Sequence, residues 1–500
     1  MVLTDEEQPL LRILSHDLDT SSTQEQPNCS SENRNDALEF EPFDPEDPKN
    51  WGWGFKWGIV SLLALMAFTV TFTCIGVVPV ASEIVRDLDH GQSMTSTNSA
   101  LLVTIWELGE AAGPLLIAPL SEILGRRPVM HACNFGFIAA TILAACSQSS
   151  SIFIVARMLT GLCVASNVLN PAIIGDIFSS EQRGSAMSLI MLAPLIGGAI
   201  GPAISGVIAQ TMGWRRILVI AAALAVLCEV LFLAFFRETY KMAILKRREE
   251  DGRAEGELMS HEPKSAHAGA KRLWHSITRP FAVLFGSSVL MLLSLFASVA
   301  FSYFYVISVS LPVILVERYG FELALTGSSF VSFSIGSFLS VLVCNFTLDR
   351  IYMSLRSRSS ASGKGKPEYR LPLSIIGGIL LPFSVTAYGW IAEYRLPALL
   401  LLASVSLMGF TLLLTVVPLS AYVIDACGIY SASAMTGVIV TRCLVGTFLP
   451  LTTGPLAEAL GYGWGFSCLG ALSLVLAVIP VMVSRFGEGW RQRSEFTMDS

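Results

Sequence analysis

Residues 118–128 read APLSEILGRRP, a short charged turn wedged between two apolar runs at 95–119 and 128–147. Each run reaches the roughly 20 residues that a helix needs to cross about 30 Å of hydrocarbon. Gly125 permits a tight reversal, while Glu122, Arg126 and Arg127 belong at a watery surface. Outward from this turn the pattern repeats. Apolar runs lie near 57–80, 95–119, 128–147, 150–175, 186–210, 216–236, 284–311, 325–348, 371–391, 397–424, 430–455 and 464–484. In lipid a lone strand would leave its backbone groups unpaired, so each run is expected to be a helix. Of the 500 residues, 53% are hydrophobic and 14% charged, whereas soluble domains are about a quarter charged. The expectation is an all-α membrane protein of about twelve spans.

Charge placement orients the chain. Most of the 33 Lys and Arg fall in the termini, the 237–283 loop and the 349–370 loop; the opposite side holds Arg86, Arg215, Arg216, Arg318 and Arg395. The positive-inside rule then makes both termini cytosolic. Residues 1–55 are polar and acidic and read as a disordered cytosolic tail. Residues 56–236 form a first six-helix bundle, 237–283 a cytosolic linker, 284–485 a second bundle and 486–500 a cytosolic tail. The bundles echo one another: GSAMSLI (184–190) matches ASAMTGV (432–438), Asp176 matches Asp425, and Gly213-Trp214 matches Gly463-Trp464. Two such halves joined by a long loop are the plan of a rocking transporter. No CxxC pair or His/Cys cluster has zinc spacing, so no metal site is expected.

Several segments point to one family. The 118–128 turn keeps an acid, a glycine and an arginine pair, and it resembles the signature loop of the major facilitator superfamily. It departs from that loop at Ala118 and Ile123, where the family carries glycine and a basic residue. LAPLIGGAIGPAISG (192–206) sets Gly197, Gly198, Gly201 and Gly206 around Pro202. Small residues at such spacing let helices approach closely, and the stretch is similar to the proline–glycine motif of the antiporter branches. RPFAVLF (279–285), DRIY (349–352), PEYRLP (367–372), YVIDACGIYSASAM (422–435) and VLNPAIIGDIF (168–178) look like fungal twelve-span drug:proton antiporter-type carriers. The resemblance covers about residues 50–490. It implies the major-facilitator fold, two pseudo-symmetric six-helix bundles, with the first, fourth, seventh and tenth helices lining a central cavity.

Intramembrane charges are costly and functional by default. Arg157, in ARMLTG (156–161), resembles a fourth-helix arginine that the family links to proton coupling; the alternative is that it snorkels to the outer interface. Glu107 and Glu110 are three apart and share a helix face. The fold implied by the resemblance packs the second helix against the eleventh, so an ion pair between Arg442 and Glu107 or Glu110 is expected. Glu229, on the sixth helix, is a more peripheral proton-coupling candidate. Glu122, Gly125, Arg126, Arg127, Asp176, Arg183, Asp349, Arg350 and Asp425 are expected at a cytosolic gate, with Arg183 paired to Asp176. Cavity candidates are Thr71 and Thr73, Asn167 and Asn170, and Phe301, Tyr303, Phe304 and Tyr305. This aromatic run suits a large, planar, partly apolar solute.

The reading is a secondary transporter in the plasma membrane, a monomer without cofactor, that exports small organic molecules against a proton gradient. A proton-coupled nutrient importer and a transport-inactive sensor of the same fold stay open. HExxH, a phosphate-binding GxxxxGK[ST] loop and a Ser-His-Asp set are all missing, which argues against an enzyme or an ATP-driven pump. No nucleic-acid partner is expected.

Overall fold

A computed structural model describes residues 44–89, 96–179, 182–254, 277–359 and 366–497. The expected N-terminal tail through residue 43, the middle of the linker and the last three residues lie outside the described residues. Helix accounts for nearly all of the described chain, and no strand occurs there.

The first half holds six spans: Trp53–Ile75, Ser96–Leu124, Arg126–Ala145, a broken fourth span (Ser150–Leu162 and Ser166–Ile177), Arg183–Met212 and Trp214–Phe235. The second half begins with Ser288–Tyr319, Phe330–Ser359 (preceded by the short helix Leu323–Ser328), Leu371–Glu393 and Ala398–Cys427. Among the described residues, eleven helical runs are long and apolar enough to cross a membrane, the last being Ser431–Arg491 with 61 residues. As a rod it would measure roughly 90 Å, about three bilayer cores. Gly461 divides it, at φ 77° and ψ 170°. A Cβ built on Gly465 would lie 3.3 Å from the Leu456 carbonyl, so the chain has doubled back. Twelve spans result, and both ends of the described chain lie on one face, here the terminal face.

Three boundaries differ from the sequence reading. The first helix starts at Trp53, inside the expected tail, and a further helix, Ala81–Leu88, follows it on the far face. The linker carries the helix Lys241–Ala254. The last helix runs to Arg491, and the chain beyond it packs on the bundle instead of leaving as a tail. Arg491 is buried against Glu368 at 3.2 Å, and Thr497 is buried beside Ser287. Pairing a helix-end cation with a buried acid, and then covering both, explains why this segment stays folded.

The halves repeat in space. Arg126, opening the third span, meets Asp176 at the end of the fourth, Nε to Oδ2, at 3.2 Å. Arg370, just before the ninth span, meets Asp425 at the end of the tenth through the same two atom types, at 2.7 Å. The halves touch along two seams. The fifth span meets the helix Leu323–Ser328, where a Cβ on Gly206 would strike the Leu323 carbonyl and one on Gly327 the Pro202 carbonyl. Gln210 donates to Glu322 at 2.8 Å beside it. The second span meets the eleventh, where the Thr104 hydroxyl donates to the Thr447 carbonyl at 3.0 Å.

Candidate functional site

The second–eleventh seam carries the intramembrane charges. Arg442 Nη2 lies 3.1 Å from Glu110 Oε1, with Glu110 2% exposed and Arg442 24% exposed. Of the two glutamates offered by the sequence, Glu110 takes the guanidinium. Its same oxygen accepts from Asn167 Nδ2 at 2.5 Å. Asn167 is the second residue of the second piece of the broken fourth span, directly past the interruption that the apolar pattern at 150–175 did not reveal. Such interruptions are tolerated at membrane depth where they line a cavity or a site. On its other side Arg442 stacks on Phe301 of the seventh span, 4.4 Å from guanidinium carbon to ring centroid. Asn167 is exposed and Phe301 and Phe304 are half-buried. The pair therefore borders open space, not packed core.

One turn away, Glu107 is fully buried. The Tyr305 hydroxyl donates to its Oε1, and the Trp106 ring lies 6.3 Å from that of Tyr305. Three elements from two halves thus converge: the second span with Glu107 and Glu110, the eleventh with Arg442, the seventh with Phe301 and Tyr305.

The cavity candidates divide. Thr71, Asn167, Phe301 and Phe304 retain exposure. Thr73, Asn170, Tyr303 and Tyr305 are buried, against the sequence reading of them as cavity-lining residues; Tyr305 is taken up by Glu107. Thr73 donates to its own helix at Thr69. Asn170 reaches the Leu63 carbonyl at 3.4 Å, and Tyr303 donates to the Leu469 carbonyl at 2.6 Å. Each of these donors is satisfied by a backbone carbonyl, as buried polar groups require. Arg157 does not snorkel. It is 1% exposed, and its Nη groups donate to the Thr73 and Cys74 carbonyls at 3.2 and 2.7 Å. Those carbonyls lie where the first span ends, a partial negative pole that favours a cation. Glu229 accepts from Asn134 at 2.7 Å and lies 2.7 Å from His131 Nδ1, in a buried cluster between the third and sixth spans.

At the terminal face the expected gate is built from partly different residues. Arg183 does not pair with Asp176; it donates to the Gly175 and Phe178 carbonyls, capping the fourth span, and Arg126 takes Asp176 instead. Glu122 and Arg350 are exposed and form no ion pair among the described residues. Among the described residues Arg127 is held by its backbone alone. Its amide and that of Arg126 donate to Glu238 at 3.0 and 2.8 Å, an acid placed to cap a helix start. In the second half Arg370 joins Asp349 at 2.8 Å to Asp425 at 2.7 Å. Sequence reasoning missed Glu238 and Arg370. Arg370 was legible as the counterpart of Arg126 in the repeat; Glu238 follows the sixth span with no pattern to mark it. Burial pushes the nearby Tyr240 hydroxyl above its ordinary range, so it stays neutral.

The antiporter-like glycines are packing positions. A Cβ on Gly197 would lie 3.0 Å from Thr71, and one on Gly201 3.4 Å from Phe72, both on the first span. Gly198 meets only a distant Thr71 methyl. Pro202 and Gly206 face the second half, as described above.

Twelve spans in two repeated halves, with charges buried where the halves meet, define a helical membrane transporter. The chain belongs to the major facilitator superfamily, whose family profile matches residues 60–450. Among curated relatives, the efflux pump radE of Floropilus chiversii is 31% identical over 91% of this chain and 84% of its own length. The MFS-type transporter penM of Penicillium rubens is 32% identical over 91% of this chain and 89% of its own length. Among solved structures, a D-xylose–proton symporter superposes with a TM-score of 0.67 over 85% of this chain and 97% of its own, at 14% identity. At that identity the likeness concerns the fold alone.

Proposed function

We propose that this protein is a plasma-membrane exporter of small organic molecules, a monomer with both termini cytosolic, driven by proton entry through alternating access. The observation that carries the reading is the Arg442–Glu110 pair bordering open space beside the buried acid Glu107. A carrier that exchanges a solute for a proton needs an acid that changes protonation as the halves rock. The aromatic wall of Phe301 and Phe304 suits a planar, partly apolar solute. Resemblance to a relative named as an efflux pump favours the outward direction.

The test is a panel of candidate solutes on cells with and without the protein, followed as external pH is varied. Lower retention of one solute, abolished by a proton uncoupler, is the expected result. Accumulation above the control would overturn export and favour an importer.

A further inference from the structure

Glu107 and Glu110 occupy one helix face but not one environment. A carboxylate oxygen of each lies within 4.8 Å of the other and of the Cys443 thiol. Two carboxylates so close do not both ionise readily in a dry interior. Among the described residues, Arg442 contacts Glu110 alone at ion-pair distance. The other buried cation nearby, Arg157 of the fourth span, turns to the Thr73 and Cys74 carbonyls, and among the described residues no carboxylate lies within ion-pair range of it. The groups facing Glu107 are therefore Glu110 on its own span, the neutral Tyr305 hydroxyl from the seventh, and Arg442 and the Cys443 thiol from the eleventh, with the Cys74 thiol of the first span in the wider neighbourhood.

The donors are unequal too. Glu110 Oε1 receives two, Asn167 and Arg442, one of them charged. Glu107 receives only neutral donors among the described residues, the Tyr305 hydroxyl on Oε1 and the Cys443 thiol. Among the described residues its Oε2 has no oxygen or nitrogen hydrogen-bond partner, and it faces Gly446, where an added Cβ would sit 3.2 Å from it. An ionised carboxylate is acceptor-only with room for several donors, and leaving it underfilled in a buried site is expensive.

We infer that the Glu107–Glu110 pair holds one exchangeable proton, seated on Oε2 of Glu107, while Glu110 serves as the fixed ion-pair partner of Arg442. This rests on the proton-coupled reading above and names the residue that carries the proton. Protonation at Oε2 leaves Oε1 free to accept from Tyr305, so the seat spans both halves. Release breaks the Glu107 O–H bond; the electron pair stays on Oε2 and the proton passes to water. That water enters only when the seventh span withdraws Tyr305, which ties proton release to the movement of one half against the other.

The experiment is infrared difference spectroscopy on the purified full-length protein between acidic and alkaline buffer. The wild type is expected to show a C=O band of a protonated carboxylic acid. Glu107→Gln removes it. Glu107→Asp and Tyr305→Phe each shift its frequency, which serves if Glu107→Gln folds poorly. Glu110→Asp leaves the frequency in place. A band that survives Glu107→Gln, that moves with Glu110→Asp, or that is absent from the wild type overturns the assignment. Failure of the parent reading is distinguishable. If solute retention ignores the proton gradient while the band follows Glu107, antiport falls and the seat stands. If retention follows the gradient and the band belongs to Glu110, the assignment alone falls.

Discussion

Arg442 sits 24% exposed with one Nη on Glu110, its face on Phe301, and its Nε without a partner among the described residues. Removing one member of a buried ion pair strands the other and costs about 3–5 kcal/mol. Arg442→Ala and Glu110→Ala should each lower thermal stability and abolish transport. The exchanged double variant, Glu110→Arg with Arg442→Glu, should recover part of both. A double variant no better than either single, in melting temperature and in solute retention, would show that the two side chains do not act as a pair. The existence of an intramembrane charge pair was legible from the sequence, because a lone charge in lipid demands a partner. Its choice of Glu110 over Glu107 was not. Two acids on one helix face differ in what the other spans bring to them: Asn167 and Arg442 to Glu110, Tyr305 and Cys443 to Glu107.

At the scale of elements, the two seams use different chemistry. The second–eleventh seam is ionic and hydroxylic; the fifth–eighth seam is built from backbone contact at Gly206 and Gly327. Carbonyl oxygens have no rotamer to yield, so even a methyl group forces the helices apart, at about 1–3 kcal/mol. Gly327→Ala should therefore weaken closure of the far face. Cysteines placed at that face should label faster in the variant than in the parent, and transport should fall. Equal labelling would remove this seam from the cycle. The turn between the last two spans raises a separate point. The repeat in sequence pairs Gly213-Trp214 with Gly463-Trp464, yet the positive φ falls on Gly461, while Gly463 packs under Trp390. Backbone at φ 77° and ψ 170° is essentially reserved to glycine, and another residue costs about 1–3 kcal/mol there. Gly461→Ala should lower the melting temperature more than Gly489→Ala, whose Cβ position is open.

For the whole molecule, the mirrored Arg126–Asp176 and Arg370–Asp425 pairs make the two halves mechanical equivalents at the terminal face. Both pairs bind within a half, not across the halves. Each keeps its own bundle rigid while the bundles rock, which suits a rigid-body cycle. Basic residues at that face set the orientation expected from the sequence. Epitope tags at both chain ends should be reached by antibody only after the cells are permeabilised. Staining of either tag on intact cells would contradict the orientation.

The apolar runs, their lengths and the repeated motifs determined a great deal unaided. They specified helix everywhere, twelve crossings, two related halves and a family, because lipid offers the backbone no alternative and hydropathy is a local property of the chain. What the tertiary structure decided was pairing. It seated Arg157 on carbonyls of the first span, gave Asp176 to Arg126 and not to Arg183, buried Thr73, Asn170, Tyr303 and Tyr305, and folded the end of the chain onto its bundle. These outcomes depend on which side chains of distant spans arrive at the same depth and azimuth. Helix rotation, the break in the fourth span and the approach allowed by Gly206 and Gly327 set that meeting, and none of them is written in any single run of residues.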